Sequence, residues 1–201
     1  MPNVSIKINA SAFGKKFNNM LDSTKFKNAA FNLIYPIYDD AKSKLLQDFE
    51  EHTITQEIEN GPESDNISET LQGYGNLYSF IGFDSDNENP IIPLKELLEN
   101  SITIKQTVRR DKFWYFKISL PSKSEIREAT PMPWEEGLSW VEGIEEGISN
   151  LSHYLYTHWE GGRSKEGIQL KGEFIPELSF VTRPYLTKFF KDFREEIKSN
   201  I

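Results

Sequence analysis

The sequence predicts an α+β fold: an antiparallel sheet including an aromatic-rich hairpin, amphipathic helices packed on one face of it, and a C-terminal helix. Three observations predict it. Apolar residues recur at helical spacing from Ile37 to Phe49, alternate with polar ones on either side of a polar turn from Ile102 to Leu120, and return to helical spacing from Tyr185 to Ile197. Taken in order, Val4-Ser5-Ile6-Lys7-Ile8 alternates and reads as a short strand. Phe13, Phe17, Met20 and Leu21, then Phe26, Ala30, Phe31 and Ile34, fall at helical spacing around a break near Asp22-Ser23-Thr24. The clearest helix runs from Ile37 to Glu51, with Ile37, Ala41, Leu45 and Phe49 on one face and Pro36 just before it, where a missing N–H costs little. Thr53-x-x-Gln56 reads as a capping box opening a short helix that Gly61 closes.

Two turn-rich stretches follow, Gly61-Pro62-Glu63-Ser64-Asp65-Asn66 and Asp84-Ser85-Asp86-Asn87-Glu88-Asn89-Pro90. Leu94 to Glu99 predicts one or two turns of helix. Ile102 to Val108 and Phe113 to Leu120 then alternate around Arg109-Arg110-Asp111-Lys112, which predicts a β-hairpin. Pro121 to Pro133 holds three prolines and a polar interior and reads as a long loop. Thr182 is the expected N-cap of the last helix, with Pro184 in its first turn and Tyr185, Phe189, Phe190, Phe193 and Ile197 along one stripe.

The chain has 201 residues, 37 % hydrophobic and 13 % aromatic, which is enough for a packed core. No run approaches the ~20 apolar residues of a membrane span, and no membrane partner is expected. The first ten residues lack the apolar stretch of a secretory signal. There is no cysteine, which excludes disulfides, cysteine-ligated metal and thiol nucleophiles. The net charge of −8 argues against a dedicated nucleic-acid binder. That charge is unevenly placed: +4 over residues 1–31, −12 over 32–100 and zero over 101–201. The division drawn from it is a basic N-terminal arm, residues 1–31, with a strand and a helical segment, ahead of a single α+β domain, residues 32–201. Such an arm folds onto the body, docks on a neighbouring subunit or stays solvated.

No reaction is written in the residues. His52, His153 and His158 are the only histidines, and the last two lie five apart, a poor fit to one helix face. Asp84-x-Asp86-x-Glu88 opens like a calcium loop, but Asn89 stands where glycine is needed and Lys95 where glutamate is needed. Gly73-Tyr74-Gly75 lacks the third glycine of a dinucleotide loop, and Gly161-Gly162-Arg163-Ser164-Lys165 lacks phosphate-loop spacing. No Gly-x-Ser-x-Gly elbow is present. Pairs such as Glu50-Glu51 and Glu195-Glu196 are what any acidic helix face produces. The sequence therefore predicts no enzyme, no catalytic or metal-ligating residues and no cofactor. The aromatic run is more informative. A strand through Phe113, Trp114, Tyr115 and Phe116 puts large apolar groups on both of its faces, so it is covered twice by its own chain or meets another subunit. Tyr154, Tyr156 and Trp159 make a further aromatic group.

Phe49 to Ile58, then Asn66-Ile67-Ser68-Glu69-Thr70-Leu71-Gln72-Gly73-Tyr74-Gly75-Asn76-Leu77-Tyr78-Ser79-Phe80-Ile81-Gly82-Phe83, resembles the tail-completion and neck, or head–tail connector, proteins of tailed bacteriophages. Gly161 to Ser164, Gly167-Ile168-Gln169 and Phe180-Val181-Thr182-Arg183-Pro184-Tyr185-Leu186 fit the same resemblance, which is best over residues 45–85 and 160–197. The resemblance implies a non-enzymatic virion protein, assembled in the host cytoplasm. It would join or seal portal and tail as a subunit of a homo-oligomeric ring, with DNA passing nearby and no specific nucleic-acid binding. It transfers no catalytic residues. The residues expected to carry interaction are Phe113, Trp114, Tyr115, Phe116, Arg183 and Tyr185. Two alternatives stay beside it: a small ligand-binding or metal-assisted hydrolase domain using residues 73–75 with His153 and His158, and a soluble peptide-binding adaptor with an open edge strand at residues 102–108.

Overall fold

The computed structural model describes residues 4–9, 24–72, 75–110, 113–147 and 180–201. The helical segment expected around Phe13 to Leu21, the Gly73-Tyr74 turn, the glycine turn at 161–163, His153, His158 and the Tyr154–Trp159 group lie outside the described residues. The fold is α+β. The chain divides into two compact units, one built from Met1–Leu46, Leu98–Ser122 and Phe190–Ile201, the other from Gln47–Leu97 and Lys123–Phe189.

The first unit holds a three-stranded antiparallel sheet in the order β1 (Val4–Asn9), β3 (Phe113–Ser119), β2 (Thr103–Arg110). The expected hairpin is therefore present, and the N-terminal strand adds to its far side. The register sets Val4 opposite Ile118 and Ile8 opposite Trp114. Across the hairpin Ile104 faces Ile118, and the pairing slips between Gln106 and Arg109. Along β3, Trp114, Phe116 and Ile118 are buried while Tyr115 is half-buried and Lys117 exposed, the two-residue alternation of a sheet with one covered face. The cover comes from α1 (Thr24–Glu51), whose Phe31 ring lies 6.3 Å from Phe116; the last helix meets α1, with the Phe193 ring 6.4 Å from Tyr38. Tyr38 donates its hydroxyl to the Ile102 carbonyl at 2.7 Å, and Lys42 donates to the Glu99 and Ile102 carbonyls at 2.6 and 3.0 Å. These bonds satisfy the Glu99 carbonyl in the last turn of α4 (Ile91–Ser101) and the Ile102 carbonyl just beyond it.

The helix expected to start at Ile37 starts at Thr24 and carries Pro36 inside it. Proline removes one ladder bond and is normally a helix terminator. Here Pro36 is exposed, and Ala30, Ile34, Tyr38, Ala41, Leu45 and Phe49 form a buried stripe that passes it without a break. Burial of that face outweighs the local penalty.

In the second unit, α2 (Thr53–Glu59) is capped by His52, not by the expected Thr53. The His52 Nδ1 accepts from the Ile54 N–H at 3.2 Å. Gly61 then turns at φ +76° into a short 3₁₀ segment, Gly61–Glu63. α3 (Leu77–Ile81) follows, capped by Asn76. The stretch expected as a long loop between Pro121 and Pro133 contains α5 (Lys123–Ala129), followed by a small hairpin of β4 (Pro131–Met132) and β5 (Glu135–Ser139). α5 buries no residue, so it leaves no apolar stripe to read. α6 (Trp140–Glu146) and α7 (Leu186–Ser199) complete the described elements. α7 begins after the expected cap at Thr182, because a carboxylate from α6 does the capping. Glu145 Oε1 accepts from the Tyr185 and Thr187 N–H groups at 2.9 and 2.8 Å and from the Thr187 hydroxyl at 2.9 Å.

Candidate functional site

The expected interaction residues separate into core and surface. Trp114 and Phe116, 3 % and 0 % exposed, belong to the core of the first unit and offer a partner nothing in this conformation. Phe113 opens β3, paired with Asn9 on one side and Arg110 on the other. Tyr115 is half-buried on the opposite face, beside exposed Lys117. That face is polar and basic. Lys117 stands directly opposite Lys105 in the register, and both are exposed. Neither ammonium makes a hydrogen bond or ion pair among the described residues. Among those residues β1 and β2 each pair with β3 alone, so both are edge strands.

Tyr185 is fully buried in the second unit. Its hydroxyl shares a 2.6 Å hydrogen bond with Thr55, and burial pushes its pKa far above the ordinary tyrosine value. Its ring lies 5.2 Å from His52, 6.1 Å from Phe49 and 5.6 Å from Phe189. His52 thus combines a capping bond with aromatic neighbours. Burial, and then Lys188, lower its pKa below 6.5. Arg183 remains half-exposed, 3.7 Å from Glu69, with its N–H bonded to the Ile144 carbonyl at 3.2 Å. The aromatic and arginine residues of the resemblance motif therefore diverge: Tyr185 packs inward and Arg183 reaches the surface.

Glu57 belongs to no motif that would single it out. It is wholly buried, and its two oxygens accept from the Ser68 N–H at 2.8 Å, the Leu77 N–H at 2.6 Å and the Asn66 amide at 2.8 Å. Ser68 extends the network to Thr70 at 2.9 Å, and Asn66 Oδ1 accepts from the Leu71 N–H at 3.1 Å. The acceptor-only carboxylate suits a site that converging N–H groups surround. Its donors come from nine to twenty residues away, a spacing that carries no motif. The arrangement pins a polar segment in place.

The second unit also has a cavity of about 430 Å³. Phe83 and Trp140 line it, their rings edge-to-face at 6.0 Å. Pro90, Pro93, Pro131 and Pro133 line it, and Asp84 and Glu88 contribute carboxylates. The turn at 84–90 and the proline-rich stretch, separate in the sequence, meet here. Asp84 Oδ1 accepts from the Asp86 N–H at 3.1 Å, a local turn. Among the described residues no group of three or more His, Cys, Asp or Glu side chains is placed to hold a metal ion. No helix among them is long and apolar enough to cross a membrane.

No family model, curated protein or solved structure matches the chain.

Proposed function

We propose that this chain is a non-enzymatic virion structural protein of the bacteriophage head–tail junction, working as one subunit of an oligomeric ring that joins or seals portal and tail. The observation that carries the reading is the sheet of the first unit. Among the described residues its two outer strands, β1 and β2, pair only with β3. Each leaves a row of backbone N–H and C=O groups that a neighbouring chain can complete, and strand addition repeats the same bonds at every copy. Head-to-tail contacts of this kind close into rings. The resemblance of residues 45–85 and 160–197 to neck and tail-completion proteins supports a place at the head–tail junction. Portal and tail proteins are then the partners, and DNA passes by without sequence readout.

The test is co-purification of the full chain with portal and tail proteins encoded beside it, followed by native mass spectrometry. The expected result is a multi-copy complex containing the chain and at least one particle protein. A chain that joins no particle protein in any combination overturns the reading. A second reading, a soluble peptide-binding adaptor, is favoured by the open edge of β2, Thr103–Arg110. It expects a monomer that binds an extended peptide with no dependence on particle proteins.

A further inference from the structure

Strand edges supply main-chain bonds between copies, and the distribution of charge points to a side-chain contact in addition. Lys105 and Lys117 are exposed on one face of the sheet in the first unit, and its three strands hold no acidic residue. Residues 45–94 contain eleven acidic residues and no lysine or arginine. Nine of those eleven are exposed. In a chain of net charge −8 these are opposite extremes.

Each patch also carries a local cost that its own surroundings leave standing. Lys105 and Lys117 are direct cross-strand partners, and like charges in that position are destabilising. Basic residues often guard an edge strand against pairing, but Lys117 lies on the central strand, where no edge needs guarding. On the acidic side, Glu59 ends α2, whose last turn has no basic residue, so a negative charge sits at the negative end of the helix. Exposed Glu63 and Asp65 follow within six residues.

We infer that the basic sheet face around Lys105 and Lys117 docks on the acidic surface around Glu59, Glu63 and Asp65 of a second copy of the chain. The inference rests on the ring reading and deepens it by naming a charge contact between copies beyond the strand edges. The contact is head-to-tail, so every subunit has one patch of each sign engaged. The occupant is a second copy and not nucleic acid for an electrostatic reason. The chain carries the complement of its own basic face, while its overall negative charge repels a polyphosphate at long range.

Sedimentation velocity of the full chain tests it. Wild type is expected to self-associate, with the midpoint concentration rising about tenfold or more between about 50 and about 500 mM salt, as screening shortens the range of charge attraction. Lys105→Glu with Lys117→Glu, and separately Glu59→Lys with Glu63→Lys, are each expected to weaken assembly about tenfold or more. An equimolar mixture of the two double variants is expected to restore it, because the swapped patches complement each other. Circular dichroism matching wild type establishes that each variant is folded. Wild type that stays monomeric at low salt, or variants that assemble like wild type, would overturn the proposal. So would a duplex DNA oligonucleotide bound by wild type and released by the lysine double variant in the absence of self-association. A chain that stays monomeric alone yet joins a portal complex would sink this interface and leave the head–tail reading standing.

Discussion

Taking a carboxylate out of water costs several kcal/mol unless hydrogen bonds replace the lost hydration. At Glu57 three N–H donors make that replacement, two of them from the backbone. Glu57→Gln keeps the volume but turns an amide NH₂ toward donors. It is expected to destabilise the protein by about 1 to 3 kcal/mol, read as a lower urea midpoint. Unchanged unfolding would mean that the network is incidental. His52 gives a pH-dependent prediction. Its folded-state pKa lies below the ordinary value because burial disfavours the imidazolium and Lys188 adds repulsion. The folded state therefore binds fewer protons than the unfolded chain. The stability tied to His52 is complete above the unfolded pKa and is lost as the pH falls through the lower folded value. Protonation at Nδ1 also removes the acceptor that caps α2. The melting temperature of wild type is expected to fall more steeply between about pH 7 and about pH 5 than that of His52→Asn, which caps without titrating. Parallel profiles would remove His52 from the acid response.

At the scale of elements, α1 and α7 each show a local rule overridden by packing. Pro36 interrupts the α1 ladder on an exposed face. Pro36→Ala restores the N–H and is expected to raise stability by about 1 to 3 kcal/mol in urea unfolding. A loss would show that the helix is shaped around the proline. The start of α7 depends on Glu145. Glu145→Ala is expected to cost about 1 to 2 kcal/mol, and Glu145→Gln less, because an amide oxygen still accepts. The hairpin and the last helix were legible in the sequence because their periodicity is long and strong. The continuity of α1 through Pro36 was not, because a proline reads locally as a stop while the buried stripe through it is set by tertiary contact. α5 was hidden for the opposite reason, since a helix that buries nothing writes no pattern.

For the molecule as a whole, the α+β class followed from the change of period along the chain, and the uneven charge was visible as a count. What the count lacked was register: only pairing places Lys105 against Lys117. The aromatic run showed the same limit. Alternation splits Trp114 and Phe116 from Tyr115, but the sequence does not say which side becomes core. Glu57 was illegible because its surroundings are assembled from residues far apart in the chain. That clasp has a consequence for how the second unit opens. The Ser68 and Leu77 amides, nine positions apart, answer to one side chain, so solvent deuterium reaches both through a single event. Matched exchange rates at the two sites would mark the segment between them as one cooperative block, and a fast Ser68 beside a slow Leu77 would show it peeling from one end.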